Sequence, residues 1–235
     1  MCNLLNYNIF RGSLNNINLE KHRIINTINP HSYCVAKKDL IFKKALQESD
    51  ILLPDGIGIV WGIKILENQK IEKIAGFDIF NYLMKYLNKN KGSCFFLGSS
   101  KETLSLIEEK TSLDFPNVIV KAFSPPFKKN FSDIENKIMC DKINQSNADI
   151  LFVGMTAPKQ EKWVYENKNK ISVKNICTIG AVFNFYAEEQ RAPSIMINFG
   201  LEWLYRSVTS WRLAKRNIVS NPIFIKDIIV KKFLK

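Results

Sequence analysis

The chain has 235 residues, 46% of them hydrophobic and 24% charged, with a formal net charge of +12. That is enough for one sizeable core and excludes wholesale disorder. No run reaches the roughly 18 uninterrupted apolar residues of a transmembrane helix, so any membrane contact is expected to be peripheral. The polar, Asn-rich stretch from Met1 to Lys21 lacks the apolar core of a signal peptide. Cys2, Cys34, Cys94, Cys140 and Cys177 form no Cys-x-x-Cys pair, which argues against a zinc site or a disulfide framework and for reduced thiols in a cytoplasmic setting. Cys94 and Cys177 lie in apolar runs and read as small core residues.

The opening residues are uninformative, and His22 to Asn26 reads as the first strand. It runs into Thr27-Ile-Asn-Pro-His, where the proline disfavours helix at Asn29 and alternation puts the side chains of Thr27 and Asn29 on one side. A helix is expected from Ser32 to Lys37, and a second, capped by Asp39, ends near Ser49. Asp50-Ile-Leu-Leu-Pro-Asp-Gly-Ile-Gly-Ile-Val-Trp then gives a strand, a sharp turn and a helix from Ile57 to Leu66. Asp55 falls at the carboxyl end of that strand, where open α/β sheets bind ligands. Two readings of Asp55 stand at this point: a chemically active carboxylate, or a cap for the following helix. Ile79 to Leu87 has helical spacing.

Further strands are read at Cys94–Leu97, Val118–Phe123, Ala148–Val153 and Ile176–Ile179. They alternate with helices over 102–110, from about Asp133, and after Pro158. Short continuous apolar strands, each followed by a helix, predict an α/β fold with a Rossmann-like, mostly parallel sheet and helices on both faces. Turns at Gly56, Gly98, Gly154 and Gly180 join strand ends to helix starts and offer backbone N–H groups to phosphate, which suggests a nucleotide or nucleotide-sugar ligand. There is no G-x-G-x-x-G after a strand and no Walker A sequence, which disfavours a Rossmann dehydrogenase or a P-loop enzyme.

From Arg191 to Lys235 nine basic residues face only Glu202 and Asp227. Apolar and aromatic residues alternate with them, as in a helix that lies in an anionic membrane interface. Core packing and a solvated basic face are the plainer alternatives, and nucleic-acid binding through basic and aromatic residues is a further one; no nucleic-acid motif is present. A domain over 1–195 and a basic, helical appendage over 196–235 are expected, with membrane binding as one reading of the appendage, whose exposed apolar residues also suit self-association into a homo-oligomer.

Four segments in order resemble the WecG/TagA/CpsF family of bacterial glycosyltransferases: Thr27-Ile-Asn-Pro-His, Ser49 to Val60, Val153-Gly-Met-Thr-Ala-Pro-Lys-Gln-Glu-Lys-Trp, and Arg191-Ala-Pro followed by Gly200-Leu-Glu-Trp-Leu-Tyr-Arg. The resemblance implies an inverting enzyme that moves a hexose such as N-acetylmannosamine from a UDP-sugar donor to a polyprenyl-diphosphate-linked acceptor. It implies work on surface polysaccharide or teichoic acid at the inner face of the cell membrane. By the same resemblance Asp55 matches the general base, Thr27 and Asn29 the polar pair beside it, and Gln160 part of the donor site. Arg206, Arg212 and Arg216 match arginines that reach the acceptor diphosphate. Where the family usually carries Arg this chain has Lys73, which keeps the charge without the bidentate geometry. Phe77 replaces a smaller residue, and Asn184, in Phe183-Asn-Phe, replaces an aspartate near the nucleotide pocket. A non-catalytic nucleotide-sugar sensor is the alternative from another class.

No Asp-x-Asp occurs, and His22 and His31 are the only histidines. No metal and no cofactor are therefore expected, and the leaving diphosphate falls to helix N-termini and cations. The candidates are Lys73, the turn at Gly98 and Ser99, and Arg191.

Overall fold

The computed structural model describes residues 1–188, Met196 and 210–234, apart from the side chain of Arg212. Among them, in chain order, the strands are β1 (Cys2–Leu4), β2 (Tyr7–Ile9), β3 (Arg23–Ile28), β4 (Ile51–Pro54), β5 (Ser93–Gly98), β6 (Ile119–Phe123), β7 (Ile150–Gly154) and β8 (Asn175–Thr178). The helices are α1 (Pro30–Ala36), α2 (Leu40–Gln47), α3 (Ile57–Glu67), α4 (Gly76–Asn90), α5 (Lys101–Asp114), α6 (Asp133–Ser146), α7 (Lys159–Asn167), α8 (Val182–Glu188) and α9 (Trp211–Phe233). The α/β class and the mostly parallel strands are as read from the alternation; β1 and β2 pair antiparallel. The chain divides into two compact units, one of Met1–Ile17, Thr27–Ala75 and the described part of Arg191–Lys235, the other of Asn18–Asn26 and the described part of Gly76–Gln190.

In the first unit β1 and β2 form a hairpin through Leu5 and Asn6, both at positive φ (50° and 72°), a two-residue turn whose twist suits antiparallel strands. The sequence reading missed it, because each strand is only three residues long. β2 runs parallel to β4, with Ile9 opposite Leu52. Asp39 caps α2 as expected, accepting from the Phe42 N–H at 3.0 Å. The core gathers Leu4, Ile9, Ile28, Leu52, Ile59 and Ile63 with Phe224 and Ile228 of α9.

That last pair alters the picture of the C-terminal segment. Phe224 and Ile228 are one helical turn apart and both buried. The Tyr33 ring meets Phe224 edge-on at 5.4 Å. A Cβ on Gly62 would stand 3.1 Å from Ile228 and 3.2 Å from Phe224, so glycine lets α3 and α9 approach. Polar contacts with α1 frame the same seam: the Tyr33 hydroxyl donates to Asp227 at 2.7 Å, Lys37 pairs with Asp227 at 2.6 Å, and His31 Nδ1 lies 2.9 Å from Ser220 Oγ. Composition set the chain apart from residue 196 because charge dominates its count; the inner stripe of α9 is core of the first unit. Its other faces carry exposed Ile218, Ile225, Ile229 and Phe233 among Lys215, Lys226, Lys231 and Lys232. No helix among the described residues is long and apolar enough to cross a membrane.

In the second unit the strand order is β3-β8-β7-β5-β6, all parallel. β7 and β8 are buried at every residue, as strands covered on both faces require. Phe96 stacks on Phe152 at 5.3 Å, while Phe80 and Phe183 approach edge-on. Cys94 and Cys177 are buried in these strands, and all five cysteines are free thiols.

Candidate active site

Strand β4 is buried along its length and ends at Pro54. The next N–H, that of Asp55, donates to the Ile28 carbonyl at 2.9 Å, which fixes the turn beside the end of β3. Gly56 takes φ +97° there, a conformation that side chains resist. α3 begins from Gly56 as its N-cap, with Asp55 the residue before it. The half-buried carboxylate of Asp55 accepts from Asn29 Nδ2 at 3.4 Å.

Asn29 is the N-cap of α1. Its Oδ1 accepts from the Ser32 N–H at 3.0 Å, and its own N–H donates to Ser32 Oγ at 2.7 Å, with Pro30 at the first helical position. Because the cap commits Oδ1, the amide donor has one direction left, toward Asp55. The capping role and the contact with Asp55 thus coexist in one side chain. Thr27 precedes it by two residues on β3, on the same side by strand alternation and half-buried. Lys73 lies between α3 and α4, next to Ile74, whose N–H donates to the Pro54 carbonyl at 2.9 Å; this runs the segment past the same strand end.

Arg216 lies on α9, half-buried. Burial, and after it the Arg216 charge, push the His31 pKa down to about 4, so His31 is neutral at pH 7. Arg212 belongs to α9 by its backbone; Arg191 and Arg206 lie outside the described residues.

The second unit holds the other predicted residues. Gly98 takes φ +125°, and a Cβ there would overlap the Gly154 carbonyl, so β5 and β7 can end this close only with glycine. Ser99 follows at φ +59°, its carbonyl accepting from Ser124 Oγ at 2.8 Å. A Cβ on Gly154 would overlap the Phe183 ring. Phe183 is the buried anchor that sets Asn184, exposed, on the first turn of α8. Gln160 is not on an exposed helical turn: it and Glu161 are both buried. A signal for Gln160 was present, since Gln160, Trp163, Val164 and Asn167 fall at i, i+3, i+4 and i+7. Glu161 had none, because its burial depends on the chain around it.

The model of the WecG/TagA/CpsF glycosyl transferase family matches residues 5–235. The chain belongs to this family. Among similar proteins is an N-acetylglucosaminyldiphosphoundecaprenol N-acetyl-beta-D-mannosaminyltransferase of Bacillus subtilis (strain 168), 32% identical over 203 residues, 83% of this chain and 77% of the relative. Proteins of the same name from Bacillus spizizenii, 30% identical over 89% of this chain and 79% of theirs, and from Staphylococcus aureus (strain MRSA252), 26% identical over 88% and 79%, are similar as well. The chain is thus a WecG/TagA/CpsF glycosyltransferase.

Proposed function

We propose that this glycosyltransferase moves N-acetylmannosamine from UDP-N-acetylmannosamine to N-acetylglucosaminyl-diphosphoundecaprenol, with inversion, in assembly of a surface polymer of the teichoic acid kind. The relatives carry this acceptor and a β-linked product in their names, and an α-linked nucleotide sugar yields a β product by a single displacement. The observation that carries the reading is the Asn29–Asp55 contact, a carboxylate held by a side chain that its own helix cap has already oriented. Asp55 takes the proton of the acceptor hydroxyl as that oxygen attacks the anomeric carbon, and the bond from that carbon to the diphosphate breaks, releasing UDP. Asn29 holds the carboxylate, and Thr27 offers a hydroxyl to the sugar.

For the donor we assign Lys73, Gly98, Ser99, Gln160, Asn184 and Arg191, the cations and backbone N–H groups offsetting charge on the leaving diphosphate. Arg206, Arg212 and Arg216 are assigned to the acceptor diphosphate. The exposed isoleucines and lysines of α9 support docking on the anionic inner face of the membrane, each basic residue there adding about 1 kcal/mol.

The test is UDP release from a panel of UDP-hexoses with a short-chain polyprenyl-diphosphate-N-acetylglucosamine acceptor, run with EDTA. Acceptor-dependent release from UDP-N-acetylmannosamine, lowered at least about 100-fold in Asp55→Asn with UDP affinity kept, is the expected result. Near-normal turnover in Asp55→Asn sinks the assignment of the base, and silence of the wild type without UDP binding sinks the enzyme reading.

A further inference from the structure

α7 opens with two polar side chains inside the protein: Gln160 and Glu161 are each 3% exposed. Gln160 Oε1 accepts from the Met155 N–H at 3.2 Å, in the loop after β7, and Nε2 donates to Glu161 Oε1 at 2.8 Å. The same amide lies against the turn after β8, where a Cβ on Gly180 would stand 3.5 Å from Nε2 and 3.6 Å from Oε1. One amide therefore bonds the loop after β7 and faces the turn after the neighbouring strand β8.

The amide has only one workable orientation. Flipped, its NH2 group would face the Met155 N–H, and its oxygen would face the Glu161 carboxyl oxygen, a second repulsion whenever that carboxyl is ionised. Glu161 and the Met155 N–H make the choice together. Glu161 does so at a cost: Oε2 is buried with no hydrogen-bond partner among the described residues. Burial is the largest influence on the carboxyl and pushes its pKa up to about 7, against the opposing hydrogen bonds from Gln160 and from the backbone N–H of Glu161 itself. An apolar side chain of similar size would avoid the unsatisfied oxygen, so stability alone does not explain an acid at this position.

We propose that Glu161 is a positioning residue for the nucleotide-sugar donor, holding the Gln160 amide in the orientation that fixes the loops after β7 and β8 against the ligand. This rests on the assignment of Gln160 to the donor site made above. Glu161 touches no substrate; it acts through Gln160. Replacement by glutamine keeps an oxygen that can accept from Nε2, whereas replacement by leucine leaves the amide held by the Met155 N–H alone.

The experiment measures UDP affinity by calorimetry, alongside thermal melting, for the wild type, Glu161→Gln and Glu161→Leu. Glu161→Gln should stay within about threefold of the wild type. Glu161→Leu should bind UDP about tenfold or more weakly while melting at the same or a higher temperature, a divergence that a purely structural role does not produce. The donor KM should rise in Glu161→Leu with kcat little changed. Three results overturn the proposal: UDP affinity of the leucine variant within threefold of wild type, a melting temperature of that variant below wild type, or equal weakening in the glutamine variant. Failure of the wild type itself to bind UDP overturns the donor assignment, and this inference falls with it.

Discussion

Replacing Phe224 by alanine tests whether α9 is a structural part of the first unit. The ring is 2% exposed in the core cluster and meets Tyr33 edge-on, so three losses add. Transfer of the removed carbons contributes about 2 kcal/mol, the ring pair about 0.5–1.5 kcal/mol, and the cavity left between α1 and α3 supplies the rest of the roughly 3–5 kcal/mol usual for a core Phe→Ala change. In a domain of this size each kcal/mol lowers the melting temperature by about 2–4 °C, so a fall of about 6–20 °C is expected. Urea and thermal unfolding followed by far-ultraviolet circular dichroism measure it. A loss under about 1 kcal/mol refutes the reasoning, for α9 would then be dispensable to the core and the compositional boundary at 195/196 would describe the fold better.

Asn29→Ala should cost about 0.5–2 kcal/mol of stability through the lost cap and also lower turnover, whereas Asn29→Asp keeps the cap but sets a second carboxylate against Asp55. Turnover falling in Asn29→Asp without a drop in melting temperature separates the two duties of this residue, and normal turnover there counts against the role of the contact. Ile225→Glu together with Ile229→Glu, on faces that are 53% and 46% exposed, should leave stability within about 1 kcal/mol and weaken co-sedimentation with anionic liposomes; unchanged sedimentation counts against docking through α9. The Glu161 carboxyl has a folded pKa of about 7 against an ordinary value of 4.5, so between these values the folded state binds the extra proton. Its contribution to stability is full below about pH 4.5, falls as pH rises and levels off above about 7, a loss of about 3 kcal/mol. Urea midpoints of Glu161→Leu and the wild type should diverge over that window, and parallel curves contradict the assigned titration.

The alternation of apolar runs with helical stretches was legible because buried parallel strands leave continuous apolar sequence, and α2 fell where its cap Asp39 announces it. Asp55 was legible as a turn residue, whereas the hydrogen bond to its partner, Asn29, came into view only with the structure. What stayed hidden depends on contacts between distant parts of the chain. Three-residue strands carry too little pattern to register. The burial of Glu161 has no local cause in sequence. The charge count of the C-terminal segment concealed the two inward residues, Phe224 and Ile228, that decide where α9 packs.

The seven-residue helix α1 ties two distant parts of the first unit together. Its cap, Asn29, holds the carboxylate of Asp55, while His31, Tyr33 and, one residue past its end, Lys37 hold α9. A rigid element little more than 10 Å long therefore joins the general base assigned here to the helix assigned to the lipid surface. A displacement of α9 would therefore reach the carboxylate of Asp55 through no more than two helical turns.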